Sequence, residues 1–175
     1  MEDEFSKTVR AAQIHESAQR HVLEADEHGR QILAARFDLV SLSALKGVFT
    51  LAHERGGVIG GRLDMTARLI QRCVVTLEPF EAEIAETAEL RFVPASHHAP
   101  RGDEDEEDLT PETLEGPDEI PYENDLLDLG AALAEQLALA LDPYPRAPGA
   151  TLPSDAHDDS ANPFAALKAR LPRDE

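Results

Sequence analysis

Residues 62–69, Arg-Leu-Asp-Met-Thr-Ala-Arg-Leu, put Leu63, Met65, Ala67 and Leu69 on alternate positions, with Arg62, Asp64, Thr66 and Arg68 between them. After a short interruption the alternation resumes. Phe80, Ala82, Ile84, Ala88, Leu90 and Phe92 share one parity, broken only by Glu86, and Glu81, Glu83, Glu89 and Arg91 share the other. Side chains of a strand point to opposite faces in turn, so this period specifies two long strands with one buried and one wet face. A third strand precedes them. In Leu45–Glu54, the residues Leu45, Phe49 and Leu51 keep the period, and Glu54–Gly57 reads as the turn. Successive strands joined by short turns form an antiparallel meander. Arginines on one strand and glutamates on the next then pair across the wet face, where an exposed ion pair contributes little.

The flanking segments supply the rest of an α+β fold. Residues 5–10 and 20–25 read as strands, and Asp26 is placed to cap a helix over 27–37. Leu126, Leu129, Leu133, Leu137 and Leu141 recur at helical spacing, so one long helix is expected over 125–141. Asn124 or Asp125 would cap it, Pro143 would stop it, and its apolar stripe would cover the sheet. The expected architecture is an antiparallel, barrel-like meander covered by that helix. Residues 1–95 and 121–149 make one domain, 96–120 an acidic flexible insertion, and 150–175 a linker with a short amphipathic helix. In that helix Asn162 caps, Pro163 occupies the first turn, and Phe164, Leu167 and Leu171 form one face. It either docks on its own domain or lies in a groove on a partner; its separation by a proline strap and a polar linker favours the partner.

Charge is unevenly spread. Of the net −19, residues 103–128 supply 13 Asp and Glu with no Lys or Arg, whereas residues 5–101 hold 12 acidic and 12 basic side chains. A chain this acidic is a poor non-specific ligand for nucleic acid, which is bound chiefly through phosphate neutralisation. A single cysteine suits a reducing compartment. The N-terminus lacks the apolar run of a signal peptide, and no stretch is apolar enough for a membrane helix. A cytoplasmic protein with no membrane contact is expected.

Catalytic and metal motifs are not apparent. There is no phosphate loop, dinucleotide fingerprint or nucleophile elbow. His97 and His98 are adjacent, so on an extended chain they point apart, and the acidic run matches no EF-hand loop. Cys73 has no histidine near it in sequence and reads as structural. The chain is expected to be no enzyme, with no cofactor, no bound metal and no small-molecule substrate.

Three blocks in order are nonetheless distinctive: RLIQRCVVTLEPF at 68–80, DLLDLGAALAEQLALALDPYPRAP at 125–148 after the acidic stretch, and NPFAALKARL at 162–171. They resemble the YceD family of large ribosomal RNA subunit accumulation proteins, in its proteobacterial low-cysteine branch. The motif positions are Cys73, Pro79, Asp128, Leu129, Pro143, Pro145, Asn162, Pro163, Phe164 and Leu167. The resemblance implies a bacterial factor for large-subunit assembly, needed for 23S rRNA to accumulate. Many family members carry C-x-x-C in the hairpin turn; here Cys73 matches the second cysteine and Ile70 stands in the place of the first. Four-coordinate zinc therefore lacks its ligands in this turn. Expected partners are the large-subunit rRNA precursor or a basic ribosomal protein, which the acidic segment would suit. Direct RNA contact would fall to Arg62, Arg68, Arg72 and Arg91, although no aromatics are interleaved for base stacking.

Overall fold

The computed structural model describes residues 5–97 and 117–151. In order, the elements are β1 (Thr8–Arg10), β2 (Gln19–Glu24), α1 (Glu27–Arg36), β3 (Ser41–His53), β4 (Ile59–Arg72), β5 (Pro79–Pro94), β6 (Asp118–Tyr122), β7 (Leu126–Asp128) and α2 (Leu129–Ala140). Five strands form one sheet in the order β2-β3-β4-β5-β6, and β1 pairs with β7 in a separate ribbon.

The alternation predicted over 62–92 is realised. Strands β4 and β5 are antiparallel, in a register that sets Arg62 opposite Glu89, Arg68 opposite Glu83 and Arg72 opposite Pro79. Leu63, Met65, Ala67 and Leu69 are buried, as are Leu90 and Phe92 at the far end of β5. Strand β3 adds Leu45, Phe49 and Leu51 to the same layer. The turn between β3 and β4 uses Gly56 and Gly57 at φ 75° and 80°, backbone that favours glycine.

Helix α2 lies on this layer through Leu129, Ala132, Leu133 and Leu137, all buried. The approach is close: a Cβ added at Gly47 would stand 2.8 Å from Leu133 Cδ1. Helix α1 starts where expected, with Asp26 Oδ1 accepting from the Gly29 N–H at 2.8 Å.

Four expectations need correction. The sheet is open, with β2 and β6 as its edges, so it is not barrel-like. It is also mixed, because β6 runs parallel to β5. The segment read as insertion through 120 ends sooner, since Asp118–Ile120 belong to β6; residues 98–116 lie outside the described residues. The long helix over 125–141 begins only at Leu129. Leu126–Asp128 extend as β7 against Arg10–Thr8, and Asn124 and Asp125 take left-handed turn conformations at φ 54° and 62°. Asp128 is the cap instead, accepting from the N–H groups of Gly130 at 2.9 Å and Ala131 at 3.0 Å.

Candidate functional site

The motif residues among those described gather at the two ends of α2. At its N-terminus Asp128 accepts from four groups in two segments, Ser6–Lys7 and Gly130–Ala131. Its Oδ1 also accepts from the Lys7 N–H at 2.9 Å, and its Oδ2 from the Ser6 hydroxyl. Burial raises the Asp128 pKa, but the hydrogen bonds from Ser6, Ala131, Lys7 and Gly130 outweigh it and hold the carboxyl below its ordinary value. Leu129 is buried, and its N–H donates to the Lys7 carbonyl at 2.9 Å. Asp128 and Leu129 are therefore structural: they fasten the N-terminal strand to the helix.

At the other end lies a junction of the β4–β5 turn with the strap after α2. The turn is held by its own polar groups. Cys73 N–H donates to the Glu78 carbonyl at 2.9 Å, Leu77 N–H to the Cys73 carbonyl at 2.8 Å, and Arg72 Nη1 to the Leu77 carbonyl at 3.0 Å. Cys73 is fully buried, and its Sγ accepts from the N–H groups of Val75 and Thr76, both at 3.4 Å. Hydrogen bonds from the Thr76 side chain first, then from the backbone of Ala147, Thr76 and Val75, bring the thiol down to about 7 against the opposing effect of burial. The strap meets the turn where Val74 N–H donates to the Pro145 carbonyl at 2.9 Å. Pro79 opens β5, a first-strand position that needs no donor.

This knuckle presents one sulfur, and Ile70 lies on β4 opposite Ser41 and Glu81. The donor set does not fit a tetrahedral zinc ion. Among the described residues no group of three or more His, Cys, Asp or Glu is placed to hold a metal.

Between turn and strap runs a largely apolar groove of about 430 Å³, lined by Phe37, Leu39, Val74, Leu77 and Leu141 together with the polar Asp38, Gln71, Arg72 and Asp142. Two of its residues have left-handed backbone, Asp38 at φ 52° and Leu77 at φ 61°. For a leucine this conformation costs about 1–2 kcal/mol, yet the side chain it presents is 65% exposed. Val74, next in the groove, is 44% exposed. Strain that holds apolar side chains in solvent is a mark of a contact surface rather than of a core. Sequence reading missed Leu77 and Val74 in this role; the legible signal was the run Val-Val-Thr-Leu at 74–77, apolar where turns are usually polar.

The arginines expected to meet RNA lie mostly elsewhere. Arg62, Arg68 and Arg91 share the open face of the sheet, and each is engaged by carboxylates of the protein itself. Arg62 Nη2 is 3.1 Å from Asp64 Oδ1, and Arg68 Nε is 2.9 Å from Glu83 Oε1. Arg91 reaches Glu54 at 3.4 Å and Glu119 at 3.5 Å. The Arg62 guanidinium, helped by the Thr87 hydroxyl, holds the Asp64 carboxyl below its usual range. Lys46 pairs with Glu24 on the same face at 2.6 Å. Of the predicted arginines, only Arg72 belongs to the junction, where it braces the turn. Asn162, Pro163, Phe164 and Leu167 lie outside the described residues.

No described helix is long and apolar enough to cross a membrane. A family model described as large ribosomal RNA subunit accumulation protein YceD matches residues 61–169. That span runs from β4 through the turn, the acidic segment, α2 and the strap. No match is found among curated proteins or among solved structures.

Proposed function

The chain belongs to the YceD family of large ribosomal RNA subunit accumulation proteins, and we propose that it is a cytoplasmic, non-enzymatic factor in large-subunit biogenesis, needed for 23S rRNA to accumulate. The family match over 61–169 carries this reading. The physical observations bear on how it acts. A phosphate backbone is bound by cations free to release its counterions. Here the open face places acidic partners within ion-pair distance of Arg62, Arg68 and Arg91. The chain as a whole carries −19. Both features favour a protein partner, and the chemistry that suits it is a basic ribosomal protein awaiting assembly. Direct rRNA contact is the competing reading. Affinity capture of the tagged chain, with and without ribonuclease treatment, separates the two. Basic large-subunit proteins retained after ribonuclease support the protein contact. Retention only while RNA is intact contradicts it.

A further inference from the structure

We propose that the apolar groove between the Cys73 turn and the Pro143–Pro145 strap is the seat of the chain's own C-terminal segment, residues 162–171. The inference goes beyond the functional reading and does not depend on which partner the protein serves.

The path of the strap is the first argument. A strap that led away from the domain would carry the terminal segment towards another molecule. Instead it is pinned: Val74 N–H donates to the Pro145 carbonyl at 2.9 Å. The Ala150 N–H then closes a turn onto the Ala147 carbonyl at 3.0 Å. The described chain ends at Thr151, one residue beyond this turn and six residues after Pro145, which lines the groove. Residues 152–161 separate that point from Asn162. A ten-residue polar tether has a root-mean-square span of about 17 Å, so the segment is held near the groove at a concentration on the order of millimolar. A weak apolar face suffices under that condition.

The second argument is fit. Phe164, Leu167 and Leu171 stand at i, i+3 and i+7, a stripe on one side of a helix. A helix of this length seldom persists unaided in water and needs a surface. Leu77 and Val74 offer such a surface, with Leu77 held outward by left-handed backbone. Charge agrees as well. Lys168 and Arg170 of the segment are basic, and the groove lining carries two carboxylates, Asp38 and Asp142, against one guanidinium, Arg72.

The test uses the full-length chain labelled with ¹⁵N, comparing wild type with Phe164→Ala/Leu167→Ala and with Leu77→Gly. The double substitution is expected to shift amide resonances of 37–40, 73–78 and 139–145, and to leave those of β3 and β4 within the core unmoved. Amide exchange across 164–171 should accelerate by about tenfold or more in both variants. Leu77→Gly relieves the backbone while deleting the side chain, so its melting temperature should be no lower than that of wild type; accelerated exchange in it cannot be ascribed to unfolding. Groove resonances indifferent to Phe164→Ala/Leu167→Ala would overturn the proposal. So would shifts that appear only in concentrated samples, which would seat a second copy there, or only on addition of a ribosomal protein, which would give the groove to a partner.

Discussion

Replacing Asp128 by alanine removes the cap of α2 and the fastening of β1 in one step. The cap alone is worth about 1 kcal/mol. The bonds from the Lys7 N–H and the Ser6 hydroxyl are partly exposed, and at about 0.5–1.5 kcal/mol each they bring the expected loss to roughly 2–3 kcal/mol, allowing for shared cost. With about 2.1 cal/mol/K of unfolding entropy per residue over the roughly 130 described residues, the melting temperature should fall by about 9 °C. Asp128→Asn keeps one oxygen acceptor but not its charge, and should lose about half as much. The pH dependence has a definite sign. The folded carboxyl titrates below its unfolded value, near about 3.9. Its contribution is therefore complete above that value and is lost as pH falls through the folded pKa. Denaturant titrations of wild type and Asp128→Asn should show a full stability gap at pH 6 that closes below about pH 4. An Asp128→Ala melting temperature within about 2 °C of wild type, or a gap independent of pH, would refute the assignment.

Gly130→Ala should destabilise by about 1–3 kcal/mol, because the added Cβ would stand 2.6 Å from the Lys7 nitrogen, a backbone atom that cannot rotate away; thermal unfolding measures it, and an unchanged midpoint would contradict the packing. Cys73 should label slowly with a thiol reagent at pH 8 in the native protein and rapidly once unfolded, since its burial limits access even though hydrogen bonding lowers its pKa; equal rates would show an accessible thiol. The triple change Arg62→Ala, Arg68→Ala and Arg91→Ala should leave 23S rRNA levels intact in complementation, because each guanidinium is engaged by carboxylates of the protein itself. Loss of 23S rRNA with the fold preserved would place RNA on that face.

The meander was legible because a period of two over β4 and β5 admits few alternatives; the inward residues named on β3, on β4 and at the end of β5 are buried under α2, while Phe80, Ala82, Ile84 and Ala88 are only partly buried. Helix α1 was legible from its cap at Asp26. Strand β6 was not. Asp118, Glu119 and Pro121 are poor strand formers, and the strand exists because it is an edge paired on one side only, where proline is tolerated. Its tie to α2, Gln136 Nε2 donating to Asp118 Oδ2 at 3.0 Å, is a tertiary contact that no local pattern announces. The start of α2 was misplaced for a similar reason. Leu126 is in phase with the helical stripe, and only pairing with Arg10, far away in sequence, makes Leu126–Asp128 extended. For the site, the quoted motifs led to the turn and the strap. The exposure and backbone strain of Leu77 depend on three-dimensional geometry and could not be read from its letter.

The proposed role of this chain in accumulation of the large-subunit rRNA can be tested directly. The most direct measurement is the ratio of mature 23S to 16S rRNA, read together with sucrose-gradient profiles, in cells deleted for the chain and in the same cells complemented with it. A lowered ratio and a deficit of large subunits are expected on deletion, both restored by the wild-type chain. Normal 23S levels with unchanged free subunits in the deletion strain would contradict it.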